Sequence, residues 1–486
     1  MHNQIITNRR NVSGPKEEGL LLSRHFRNLV AHNAWVASSA QTIKIALFTV
    51  MLKYLEDNRY ELGIVVPEEL LSTNRDYSSN ERMCLSLKEF LEEIELMYGL
   101  KGSSKSIYSD LTDFGIDKMM EEIKKTLNYF AKLDLSGGEG KQRAAGIAVG
   151  LLYYLSAFSI QNVPTIPWSL LKLLDHISGI NEGMSCYGIT GDSGSTLSYL
   201  TASIDCSVTI QQNYEYSAID SMLWIIAGTP HSFKGCLDNV EWLPVSSTPV
   251  KYDRVYAFPA FQSDIDIKTV FDRTGTKAQD YISWWPDMLG TGQWVYARRI
   301  LKALKDDGVG FVLFPLGMLS RMGVFVEVRK AFLNENAIDA VIELPAGMYD
   351  NTATKTALLI IKKHRDENKV RMINLNSSAA KELLTKGSDR RVGFDAEKVA
   401  AMLDNEENVQ SVSEAVSIEK IVQNGYCLSP SAYISQAYDF GVTGQDVNVL
   451  IEDAEELWDT LEAGQKKYYS TLEAYRTLQR KWEGTE

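Results

Sequence analysis

Apolar residues recur at three- and four-residue steps through the first third of the chain, as in QTIKIALFTVMLKYLEDN (41–58) and IDKMMEEIKKTLNYFAKL (116–133). That period is helical, and few alternating β-branched runs interrupt it, so residues 1–165 are expected to form a helical domain. The plainest break is LSGGEGKQ (135–142). From about residue 166 the pattern changes to short apolar runs separated by helical ones. Expected strands are Ser185–Ile189, Ser207–Ile210, Arg254–Phe258, Gly310–Phe314, Ala340–Leu344, Thr356–Ile361 and Arg371–Leu375; expected helices between them include Ser195–Ile204, Trp294–Lys305 and Val326–Asn334. Strands alternating with helices predict a mostly parallel sheet covered on both faces, here over residues 166–400. A short charged turn joins the last two strands and predicts an antiparallel hairpin at one edge. The segment 401–486 ends in a long expected helix, about Gln445 to Trp482, whose stripe runs through Leu450, Leu457, Leu461, Tyr468, Leu472, Tyr475 and Trp482. Its acidic residues come early and its basic ones late, which complements the helix dipole. A stripe of this length needs a partner surface.

Composition narrows the class. The chain has 486 residues, 45% hydrophobic and 23% charged, which is globular and excludes collagen-like, disordered and disulfide-scaffold readings. A net charge of −13 argues against strong nucleic-acid binding by the surface as a whole, though not against a local groove. Five scattered cysteines without a Cys-x-x-Cys pair predict neither a zinc cluster nor a disulfide framework, and fit a reducing cytoplasm. The six histidines show no ligand spacing, so no metal is expected. The polar N-terminus lacks a signal-peptide core. The longest apolar run, 144–160, falls short of a bilayer span and predicts a buried helix, with no membrane partner.

Candidate chemistry concentrates later. The region from Trp294 to about Lys363 runs through a helix, a strand ending in FPLGML, a second helix, and VIELPAGMYDNTATKTALLIIKK; YCLSPSAYI (426–434) follows. This ordered series resembles the catalytic domain of type I modification methyltransferases, which make N6-methyladenine in DNA from S-adenosylmethionine. The resemblance extends over about 180–435. It implies a Rossmann-like seven-stranded S-adenosylmethionine-dependent methyltransferase fold with an N-terminal helical domain and a long C-terminal helix.

It also implies site residues, and this sequence departs at each site. The family's cofactor loop reads roughly Asp-Pro-x-x-Gly-Ser-Gly; here YGITGDSGSTL places Gly188 in the acidic position, with Gly191, Asp192, Ser193 and Gly194 forming the loop. Asp192 stands where a glycine lets backbone approach the cofactor, and its carboxylate faces the cofactor's own. Its alternative role is an N-cap for the next helix. The acid expected about 20 residues on, which binds the ribose hydroxyls, is replaced by Gln211 and Gln212, with Glu215 nearby. An amide loses the charge-assisted pairing. The catalytic Asn-Pro-Pro-Phe becomes Phe258, Pro259, Ala260 and Phe261. In the family the Asn accepts from the adenine amino group and the aromatic stacks on the flipped base. Phenylalanine accepts nothing. Trp284 and Trp285 lie in a connection of about 30 residues, long enough to be functional, and are candidate DNA or base contacts, or else small-core anchors.

Three departures in register predict a methyltransferase-like subunit of a bacterial restriction–modification or phage-defence complex that is catalytically degenerate, binds S-adenosylmethionine weakly and serves DNA engagement and assembly. Expected partners are a specificity-type subunit, other methyltransferase or restriction subunits, and DNA reached through the complex. One alternative is an active adenine N6-methyltransferase that draws its missing acceptor from Asp253, Gln262 or a partner chain. Another is a nucleotide-ligand sensor built on the old pocket.

Overall fold

The computed structural model describes residues 14–32, 39–72, 80–113, 115–158, 166–189, 193–212, 218–228, 231–235, 250–259, 293–349, 354–386, 391–404, 408–434 and 471. The N-terminal third is helical, as the periodicity predicts: α1 (Pro15–His32), α2 (Ser39–Asp57), α3 (Asn80–Tyr98), α4 (Ser103–Thr112), α5 (Ile116–Phe130), α6 (Gly137–Phe158) and α7 (Trp168–Ser178). The apolar run 144–160 falls largely in α6, where Ala144, Ile147 and Leu151 are fully buried. No helix among the described residues is long and apolar enough to cross a membrane. α1 and α6 pack backbone to backbone through small residues. A Cβ on Gly146 would lie 2.2 Å from Lys16 O, and one on Gly150 would lie 2.0 Å from Ser23 Oγ.

The expected break at 135–142 is shorter than the glycines suggest, because α6 already starts at Gly137. The Asn58 side chain makes this possible. Its Nδ2 donates to Leu135 O at 2.8 Å, and its Oδ1 accepts from Gly137 N at 3.0 Å, so both ends of the turn are satisfied without a longer loop.

The rest builds one nine-stranded sheet. Its strands are β1 (Ser185–Gly188), β2 (Ser207–Gln212), β3 (His231–Gly235), β4 (Tyr252–Ala257), β5 (Leu304–Pro315), β6 (Ile338–Glu343), β7 (Thr356–Lys362), β8 (Lys369–Asn374) and, after a small separate hairpin of β9 (Leu384–Lys386) with β10 (Val392–Phe394), β11 (Ser413–Ser417). The order is β11-β8-β6-β7-β5-β4-β1-β2-β3. The helices α8 (Ser193–Leu200), α9 (Ala218–Ala227), α10 (Trp294–Ala303), α11 (Val324–Asn334), α12 (Ala396–Asp404) and α13 (Ile418–Gln423) alternate with the strands. All seven expected strands form. The unexpected ones, β3 (HSFKG) and β11 (SEAVS), are short polar edge strands whose apolar signal is too weak to read.

One expectation fails. β7 and β8 are not a hairpin: β7 lies between β5 and β6, antiparallel to both, while β8 pairs parallel with the far side of β6. Burial gives the reason, since Ala357–Ile361 are all 4% exposed or less and such a run belongs inside a sheet. The charged turn is therefore a strap across the start of β6. Arg365 holds it there, donating to Asp339 Oδ1 at 2.9 Å, Asn336 Oδ1 at 2.8 Å and Ile338 O at 2.6 Å.

Each face of the sheet carries its own core. The N-terminal helices share one with Ile210, Tyr256, Phe311 and Ile360, so the helical region covers a sheet face. The other face packs α10, α11 and the segment Leu428–Ile434. Residues 1–436 form one compact unit and 437–486 a second. The expected helix over 445–482 lies outside the described residues, Thr471 excepted.

Candidate active site

β1 is flanked by β2 and β4, and all three run parallel. The chain runs from β1 to β2 and β3 on one side and returns to β4 and β5 on the other; open α/β sheets bind ligands beyond the carboxyl ends of the strands at such a switch point. The fold brings three sequence-predicted positions to this edge. Gly188 ends β1, where it is in register with Tyr256 of β4 and Ile210 of β2. Gln211 and Gln212 end β2, just past that level. Phe258 and Pro259 follow β4 directly. The two central strands are tied at the rim, because Ile189 N donates to Tyr256 O at 2.9 Å.

At the ends of β1 and β4 the described residues are apolar. Phe258 is 2% exposed and belongs to the core shared with the helices, its ring tilted against Tyr256 at 6.3 Å between centroids. Tyr256 in turn stacks on Phe311 at 5.1 Å. The alternation of a strand sends residues 256 and 258 to the same face, so Phe258 extends the core at the point where the family places its amide. Gly188 has no side chain, Ile189 is 1% exposed and Pro259 is buried. These four positions offer no side-chain oxygen to a ribose or an adenine amino group. α8 begins at Ser193, with Gly194 its second residue, so Asp192 directly precedes a helix. Gly191, Asp192, Ala260, Phe261, Trp284, Trp285, Gln262 and Glu215 lie outside the described residues.

Asp253 does not belong to this site. It is the second residue of β4, at the end of the strand away from Phe258. Its Oδ2 accepts from Ser185 N, Ser185 Oγ and Lys305 Nζ, each at 2.7 Å. Burial pushes its pKa up, but Lys305 and Ser185 outweigh that and hold it below the ordinary carboxylate value. It is a strand-pairing anchor, and cannot supply a base-pocket acceptor from there.

Sequence reasoning missed two ionisable residues, both buried, farther along the sheet. Glu343 ends β6, 2% exposed; Asn376 Nδ2 donates to its Oε1 at 3.2 Å and Ser431 N to its Oε2 at 3.3 Å. Burial pushes its carboxyl pKa up, against the opposing pull of Ser431, Asn376 and Lys355. Arg329 of α11 is fully buried and donates to Tyr426 O at 2.6 Å, Arg321 O at 2.8 Å and Met318 O at 3.4 Å. Signals existed. Glu343 is a lone charge within the apolar VIELP, and Arg329 shares helical spacing with Phe325 and Phe332. Among the described residues no group of acids, histidines and cysteines could hold a metal.

Comparison with known proteins agrees with this architecture. The family model described as N-6 DNA Methylase matches residues 231–439. The type I restriction enzyme MjaVIII methylase subunit of Methanocaldococcus jannaschii is 27% identical over 210 residues, 41% of this chain and 36% of that protein. The MpnII methylase subunit of Mycoplasma pneumoniae is 23% identical over 168 residues, 33% of this chain and 30% of that one. The matched segments thus span about a third of these relatives' length. The type I restriction-modification methyltransferase subunit of Streptococcus thermophilus superposes with a TM-score of 0.65 at 20% identity, covering 86% of this chain and all of that one (100%). At that identity the likeness concerns the fold.

Proposed function

We propose, from its similarity to the N-6 DNA methylase family model and to type I restriction enzyme methylase subunits, that this chain is a methyltransferase-like subunit which serves assembly and DNA engagement without methylating adenine itself. One observation carries this reading: Phe258 fills the end of β4 as a 2% exposed core residue. N6-methylation needs an acceptor there to draw the amino lone pair out of ring conjugation. Losing such a group costs on the order of 10²- to 10³-fold in rate. S-adenosylmethionine, the cofactor of the family, is expected to bind weakly, since Gly188 offers no acid and the loop carries Asp192 in place of a glycine. The remaining parts suit a scaffold: an intact sheet, a helical layer over one face, and an amphipathic stretch at 445–482 whose aromatics Tyr468, Tyr475 and Trp482 are favoured contacts between proteins. The partners proposed are a specificity-type subunit and, through it, DNA.

The test is calorimetric titration of the purified chain with S-adenosylmethionine, followed by a radiolabelled methyl-transfer assay on mixed-sequence duplex DNA. Binding at micromolar or tighter affinity, or turnover lost in Phe261→Ala, would overturn the reading. Asp192→Gly with Gln212→Glu should improve affinity. Assembly is tested separately. Deleting residues 445–486 should abolish capture of a co-expressed specificity subunit while leaving the melting temperature of the remaining chain unchanged; capture that survives the deletion argues against the scaffold role.

A further inference from the structure

Three costly features converge on one short segment, Tyr426–Ile434. Arg329 is fully buried, and its Nη2 has no hydrogen-bond partner among the described residues. Glu343 is buried with no cation in ion-pair range among them, its charge opposed only at a distance by Lys355. Tyr426 has a φ of 60°, in the left-handed region that bulky residues avoid, directly after Gly425 at 62°. Buried unpaired charges and left-handed bulky residues are each unfavourable, and such strain persists only where the surroundings over-determine it.

The geometry shows what over-determines it. Arg329 Nε grips Tyr426 O at the start of the segment, and its Nη1 grips Met318 O and Arg321 O in the turn that follows β5. Leu428 N donates to Leu319 O of the same turn at 2.9 Å. At the other end Glu343 receives Ser431 N, while Asn376 holds the carboxylate and, through Leu344 O at 2.8 Å, the backbone beside it. The hydroxyl of Tyr433 closes the loop on Cys427 O. Leu428 and Ile434 are then sealed into the core, at 0% and 3% exposed. The segment is thus fastened at both ends by opposite buried charges, one from a helix and one from a strand end.

We infer that Arg329 and Glu343 form a two-point clasp that fixes the register of residues 426–434 on the sheet. The inference stands apart from the scaffold reading and is tested without it. A purely apolar contact would hold the segment by area, which tolerates sliding. Directional bonds to named carbonyl and amide groups set its register.

Hydrogen–deuterium exchange on the full chain decides it. Arg329→Met should raise exchange of the amides in 426–434 by about tenfold or more while β5, β6 and α11 stay protected. Glu343→Gln, which keeps shape and one acceptor, should loosen only the 429–434 end, by a smaller factor. If Arg329→Met fails to fold, Arg329→Lys, which keeps the charge and loses the fork, is read instead. Unchanged exchange in 426–434, or an increase spread evenly over the sheet, overturns the clasp. Since the measurement uses the chain alone, failure of the assembly reading would appear only in the capture experiment and leave this result standing.

Discussion

The carboxyl edge of one sheet carries two regions of opposite character. At β1 and β4, where ligands enter such folds, the described side chains are glycine, isoleucine, phenylalanine and proline. At β6 and β8, Glu343, Asn374, Asn376 and Ser431 make a connected polar network, with buried Arg329 close behind. Polar groups cost free energy to bury unless they are fully bonded. At the described carboxyl ends of β1 and β4 no polar side chain is present, whereas at β6 and β8 polar side chains hold a chain segment. The lesson is that one sheet edge can keep an apolar stretch beside a polar one whose bonds set geometry.

The largest effect that could break this contrast is activity. Restoring an acceptor alone, as Phe258→Asn, should leave methyl transfer undetectable in a radiolabel assay if, as proposed, neither Gly188 nor Gln211 and Gln212 supplies the acid that holds the cofactor. Turnover in that variant would show that the pocket is one residue from function, and that the two regions differ less than their side chains imply.

Next comes stability at the polar region. Arg329→Met removes a donor from Tyr426 O, Arg321 O and Met318 O, of which Met318 O keeps Trp294 Nε1 at 3.3 Å; a buried group left unbonded costs about 1–3 kcal/mol. An overall loss of about 3 kcal/mol in urea unfolding is expected, against about 1–2 kcal/mol for Phe258→Leu, which shortens a buried apolar side chain without leaving a polar group unpaired. Equal losses would erase the distinction.

A finer test uses pH. Burial raises the folded-state pKa of Glu343 above its unfolded value. The ionised form is therefore disfavoured on folding, and the group subtracts stability above its folded pKa. That penalty fades as pH falls towards the unfolded value of about 4.3. Between about pH 7.5 and pH 5 the native chain should gain stability relative to Glu343→Gln. Parallel curves would mean the carboxylate is better solvated than its burial implies.

The smallest effect is expected on the surface of α13, where Lys420 meets Glu414 at 2.7 Å with side chains 51% and 31% exposed. Lys420→Ala should cost less than about 1 kcal/mol. A loss comparable to that of Arg329→Met would show that exposure does not separate these charges.

Residue pattern alone determined the helical first third, the seven principal strands and the parallel character of the sheet, because burial on one stripe or on two faces writes itself into local periodicity. The family resemblance, rather than pattern, added Gly188, Gln211, Gln212 and Phe258 as candidate site positions. Only the tertiary structure decided that β7 slips between β5 and β6, since a short charged turn serves equally as a hairpin or as a strap and long-range burial alone selects. It likewise decided that Asp253 faces Lys305 at the wrong end of its strand, and that Arg329 and Glu343 meet the same segment. Those partners lie 97 and 88 residues away along the chain, and no local pattern encodes a contact made across that distance.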